Sequence, residues 1–120
     1  MPHFIDSLSF ALNGLKLVLK EKHFKIHLIS TLLVLSAGFY FHISTTEWFV
    51  VLICISIVLS LETINTAIEY FVDLVETNQN PKAGAIKDLS AGAVLIVSII
   101  SVIIAIMIFG KYILDLLTTV

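Results

Sequence analysis

The chain has 120 residues, of which 58% are hydrophobic and only 13% charged, with 7 Lys, no Arg, 9 Asp plus Glu and a net charge of −2. A soluble domain this small is mostly surface and carries about 25% charged residues, so a soluble globular enzyme is excluded. Disorder is excluded by the apolar content, the charge balance has no nucleic-acid signature, and the single Cys54 can form neither an internal disulfide nor a metal cluster.

The segment 4–22 reads as an amphipathic helix lying on a membrane surface. Phe4, Ile5, Leu8, Ala11, Leu12, Leu15, Val18 and Leu19 share one helical stripe, opposite Asp6, Ser9, Asn13, Lys16 and Lys20. It is not expected to be a signal peptide, because the first long apolar run starts only near residue 26, behind several lysines. Residues 26–46 hold no Asp, Glu, Lys or Arg, and these 21 residues match the ~20 needed to cross a bilayer, giving a first span over 26–43.

The next charge-free run, 48–61, has only 14 residues, but the pattern continues without Pro or Gly to Glu76. A helix over 47–76 would be roughly 45 Å long against a hydrocarbon core of roughly 30 Å. Its last third must leave the lipid or sit in a polar space. A loop over 77–88 follows, then a third span over 88–110 whose run 89–110 is free of charge for 22 residues. The expected fold is all-α integral membrane, one domain over 1–120 with a surface helix and three transmembrane helices. Lys16, Lys20, Lys22, Lys25, Lys82 and Lys87 put the N-terminus and the 77–88 loop in the cytoplasm and the C-terminus outside.

Seven of the 16 charges fall within residues 62–88. Glu62, Glu69 and Asp73, spaced by 7 and 4 residues, form one acidic helical stripe that Asn65 joins. A carboxylate costs several kcal/mol in lipid, so this stripe must face protein, water or a cation. It suits oxygen ligation of a hard cation such as Mg²⁺ or proton transfer from an alcohol, and equally an ion path or a polar seam between helices. Lys87-Asp88 would open the third span, with Asp88 as a cap and Lys87 able to pair with it or with a phosphate.

Other signals are weaker. Neither GxxxxGK[ST] nor GxGxxG occurs. His23 and His27 share a face beside lysines and read as interfacial polar residues rather than zinc ligands. Ser98, Ser101 and Ala105 read as small residues for close helix packing.

The run Glu62-Thr-Ile-Asn65-Thr-Ala-Ile-Glu69-Tyr-Phe-Val-Asp73, followed by Lys87-Asp88 and AGAVL, resembles the bacterial diacylglycerol kinase family of integral-membrane lipid kinases. The resemblance covers nearly the whole chain, and Phe24-Lys25-Ile26-His27 after Glu21 is similar to the undecaprenol kinase branch. It implies an ATP- and Mg²⁺-dependent kinase of a lipid alcohol, diacylglycerol or undecaprenol, in the bacterial inner membrane, working as a homotrimer with active sites shared near the cytoplasmic interface. Glu62 would match the catalytic base on the lipid hydroxyl, and Glu21 and Glu69 the metal ligands bridging the ATP phosphates. Asn65 and Asp73 would support that constellation, while Lys87 and Asp88 would contact ATP. His3, Phe10, His23 and Asn78-Gln79-Asn80 depart from the family pattern and bear on the adenine and ribose contacts. The competing reading is a non-enzymatic oligomeric membrane protein whose acidic stripe is a polar or ion-conducting helix seam.

Overall fold

Where lipid replaces water, a chain can satisfy its backbone N–H and C=O groups only within itself, and the long apolar runs do so as helix. The computed structural model describes residues 2–119 as four α-helices, with no strand among them: α1 (Pro2–Val18), α2 (Lys22–Phe41), α3 (Thr45–Val75) and α4 (Pro81–Thr118). The last three are long and apolar enough to cross a membrane. α4 packs mainly on α3, and α2 on α3, while α1 touches only α3 to any extent.

The molecule is a plate of 58 × 44 × 21 Å, with its long edge close to the roughly 57 Å of the 38-residue α4. Its radius of gyration, 18.1 Å, exceeds the roughly 14 Å of a compact globule of this length. Large apolar side chains such as Leu33, Phe39, Ile96 and Met107 are exposed along the spanning helices, whereas the enclosed residues include Glu62, Asn65 and Thr66. Apolar outside and polar inside is the arrangement a bilayer imposes.

Two turns set the spacing of the spans. α2 ends where His42 adopts a left-handed conformation (φ 52°, ψ 52°), and the N–H groups of His42 and Ile43 both return to the Gly38 carbonyl. Glycine at position 38 leaves room for Trp48, since a Cβ there would lie 2.6 Å from its ring and force it to shift. Ser44 then caps α3 reciprocally with Glu47: Glu47 N–H donates to Ser44 Oγ at 3.2 Å, and Ser44 N–H donates to Glu47 Oε1 at 3.0 Å.

The second turn corrects the reading of 77–88 as a loop and 88–110 as the third span. α4 begins at Pro81, because Asn80 Oδ1 accepts from Lys82 N–H at 2.9 Å and Pro81 takes the first helical position. Asp88 therefore lies two turns inside α4 and caps nothing. At the far end α4 runs past residue 110 to Thr118. The other boundaries move less: α1 stops at Val18, not residue 22, α2 covers 22–41 against 26–43, and α3 covers 45–75 against 47–76.

Candidate active site

Helical spacing puts Glu62, Asn65, Thr66, Glu69 and Asp73 along one side of α3. Glu62 is only 4% exposed and Asn65 7%, although both are polar residues in a membrane span. Thr66 turns its hydroxyl back onto the Glu62 carbonyl at 3.1 Å, so it adds no free polar group. Asn65 Nδ2 donates to Glu69 Oε1 at 3.1 Å, fixing the amide and leaving Asn65 Oδ1 buried with no partner among the described residues. An enclosed acceptor without a donor is costly and marks a place where a ligand, water or cation is received.

The Glu62 carboxylate faces α2. His27 Nε2 lies 3.6 Å from Glu62 Oε2, beyond a good hydrogen bond, leaving a loose contact. The histidine read as an interfacial polar residue is thus beside the most enclosed carboxylate in the described chain. The sequence signal was its place six residues after Glu21 at the start of an apolar run; the contact spans 35 positions and no local periodicity encodes it.

Glu21 occupies the N-cap of α2, yet its carboxylate makes no capping bond and instead accepts from the Tyr70 hydroxyl. That bond draws the start of α2 to the turn carrying Glu69. At the same end of α3, Lys87 pairs with Asp73, joining α3 to α4. Asp88 is exposed and lies one position beyond Lys87. Glu21, Glu62, Asn65, Glu69, Asp73 and Lys87 are therefore drawn towards the loop end of the α3 helix by three cross-helix contacts, two of which involve residues outside the original set, His27 and Tyr70.

Among the described residues no three His, Cys, Asp or Glu side chains gather at metal-binding distance. A closed cage for a structural ion is therefore absent there. The donors are all oxygen, two of them carboxylates on neighbouring helices, with the unpartnered Asn65 carbonyl between them in sequence. That set fits Mg²⁺, which is commonly held by one or two carboxylates while phosphates and water complete its octahedron.

Together these features define a multi-pass helical membrane protein that keeps an acidic, oxygen-rich site at one end of its spans. The chain belongs to the prokaryotic diacylglycerol kinase family, whose profile matches residues 9–109. It is 42% identical over 89 residues to the undecaprenol kinase of Bacillus subtilis (strain 168), covering 74% of this chain and 72% of that one. It is 31% identical over 105 residues to a diacylglycerol kinase of Synechocystis, covering 86% of this chain and 60% of that one. A diacylglycerol kinase of Haemophilus influenzae is 27% identical over 97 residues, with 80% and 82% covered. Membership makes the chain a kinase acting on a lipid alcohol.

Proposed function

We propose that the chain transfers the γ-phosphoryl group of ATP, bound with Mg²⁺, to the hydroxyl of a membrane lipid alcohol, either diacylglycerol or undecaprenol. The observation that carries this reading is the burial of Glu62 in a membrane span with a single loose partner, beside the Asn65–Glu69 pair. Phosphoryl transfer asks little covalent chemistry of the protein and much positioning and charge neutralisation. Glu62 takes the proton of the acceptor hydroxyl as its oxygen bonds to the γ-phosphorus. The bond from that phosphorus to the bridging oxygen breaks, and ADP leaves with the electron pair.

Glu21 and Glu69 would hold Mg²⁺, with Asn65 orienting Glu69; the ion, when bound, neutralises phosphate charge. Lys87 and Asp88 would meet the nucleotide near Asp73, and Lys87 is held in place by Asp73 meanwhile.

The active unit would be a homotrimer. A plate 21 Å thick is only about two helices deep, so one chain cannot shield both sides of an acidic helix from lipid. The N-terminus and the α3–α4 loop would face the cytoplasm and the C-terminus the outside of the inner membrane, following the lysines. The polar-seam reading is weaker, because a seam saturates its polar atoms and Asn65 Oδ1 has no partner among the described residues.

The test is transfer from γ-labelled ATP by purified protein in mixed micelles, offering diacylglycerol and a polyprenol in turn. Label should enter the lipid only with Mg²⁺ present, and chelation should abolish it. Failure to label any lipid alcohol would overturn the reading.

A further inference from the structure

A cleft of about 270 Å³ lies between α2, α3 and α4, with His27, Cys54, Val58, Ser98, Ser101 and Phe109 among its walls. It is apolar apart from a few hydroxyls, and two of these are unusual. Ser30, Thr31, Ser36, Ser56, Thr63 and Thr66 each donate to a carbonyl three or four residues back along their own helix. Ser98 Oγ and Ser101 Oγ do not; both oxygens are buried and neither has a partner among the described residues. Ala105 packs against the buried cluster as expected, while Ser98 and Ser101 leave two unsatisfied hydroxyls on the wall of the cleft.

The depth of Ser98 follows from the ends of the α3–α4 pair. Asp73 meets Lys87 at one end, and Glu47 meets Lys111 and Tyr112 at the other. Counting 11 residues back from Asp73 reaches Glu62, and counting 11 on from Lys87 reaches Ser98. On antiparallel helices with equal rise these positions share a level. The third wall of the cleft at this depth is His27, the residue beside Glu62.

An alcohol has one proton to give and two lone pairs. During transfer the proton goes to Glu62 and one lone pair attacks phosphorus, so the other is left for a donor. Building on the kinase reading above, we propose that this cleft seats the acceptor lipid, with Ser98 Oγ–H donating to the acceptor's hydroxyl oxygen opposite Glu62. The apolar wall below, from Val58 towards Phe109, sheathes the first carbons of the chain. Ser98 is then a substrate-positioning residue: it binds the oxygen that reacts and turns its proton towards Glu62.

The experiment compares wild type, Ser98→Ala and Ser98→Thr in micelles with varied lipid alcohol and saturating MgATP. Ser98→Ala should lower kcat/KM for the lipid about tenfold, the worth of one hydrogen bond, with the KM for ATP unchanged. Ser98→Thr, which keeps the hydroxyl, should restore most of it. A lipid kcat/KM within twofold of wild type in Ser98→Ala overturns the proposal.

A second readout needs no turnover. Cys54, the sole cysteine, lines the same cleft, so its alkylation by N-ethylmaleimide without ATP reports occupancy. Diacylglycerol or a polyprenol should slow alkylation of wild type and have less effect on Ser98→Ala, and a hydrocarbon of matched chain length should protect neither. Protection by the alcohol without any phosphate transfer would sink the kinase reading and keep the site. Equal protection by alcohol and hydrocarbon, or no protection at all, would sink the site.

Discussion

The two halves of α3 each carry a shielded glutamate, and the protein treats them in opposite ways. At the α2–α3 end, Glu47 Oε1 accepts from Ser44 N–H at 3.0 Å and from the Tyr112 hydroxyl at 2.6 Å. Its Oε2 lies 3.0 Å from Lys111 Nζ, paired by charge more than by a well-angled hydrogen bond. The surroundings are equally closed: Phe41 stacks on Tyr112 with centroids 5.7 Å apart, and Ile43, Val51, Ile108 and Phe109 form the buried cluster. In the second half Glu62 is enclosed more deeply, yet among the described residues its one ionisable neighbour is His27 at 3.6 Å. Glu47 ties two helices together through two hydrogen bonds and an ion pair, even though its Oε2 makes no hydrogen bond, whereas Glu62 has one loose neighbour and lies one turn of α3 from the unpartnered Asn65 Oδ1.

The largest expected effect lies in the open half. Glu62→Gln removes the proton acceptor at constant shape and should cut turnover about a thousandfold, measured as label transferred to lipid, with the oligomer retained on a sizing column. Turnover within tenfold of wild type would erase the contrast between the two halves. His27→Leu comes next. Losing a donor that faces a carboxylate should lower kcat roughly tenfold while the KM for ATP stays put, and a rise in the ATP KM instead would move His27 into the nucleotide site. The smallest change belongs to the closed end. Gly38→Ala forces a Cβ against Trp48, whose ring is itself packed on Phe39 at 4.9 Å, and should destabilise the fold by about 1–3 kcal/mol in denaturant titration with kcat unchanged at permissive temperature.

Much of the fold was legible in the sequence because a bilayer writes in plain composition. Charge-free runs marked the spans. The start of α4 was missed for a physical reason: Lys82, Gly84, Lys87 and Asp88 make 77–88 look like a polar loop, whereas Asn80-Pro81 is a cap followed by a residue pre-set for helix, and eight residues of α4 precede the apolar run. The acidic stripe was readable from helical spacing alone. Its partners were not, since His27–Glu62 and Glu21–Tyr70 are separated by 35 and 49 residues and depend on how the helices register. The register itself comes from the terminal pairs Asp73–Lys87 and Glu47–Tyr112, which no motif announces.

The contrast between a structural and a working carboxylate is tested most directly by the thermal unfolding midpoints of Glu47→Gln and Glu62→Gln, measured side by side in the same detergent. Glu47→Gln should unfold at a lower temperature than wild type, because its ion pair with Lys111 is lost and its clasp on Tyr112 weakened. Glu62→Gln should unfold at the same temperature or higher, since neutralising a buried and poorly paired carboxylate removes a desolvation cost. A midpoint for Glu62→Gln that falls as far as that of Glu47→Gln would show that both glutamates are structural and would contradict the account.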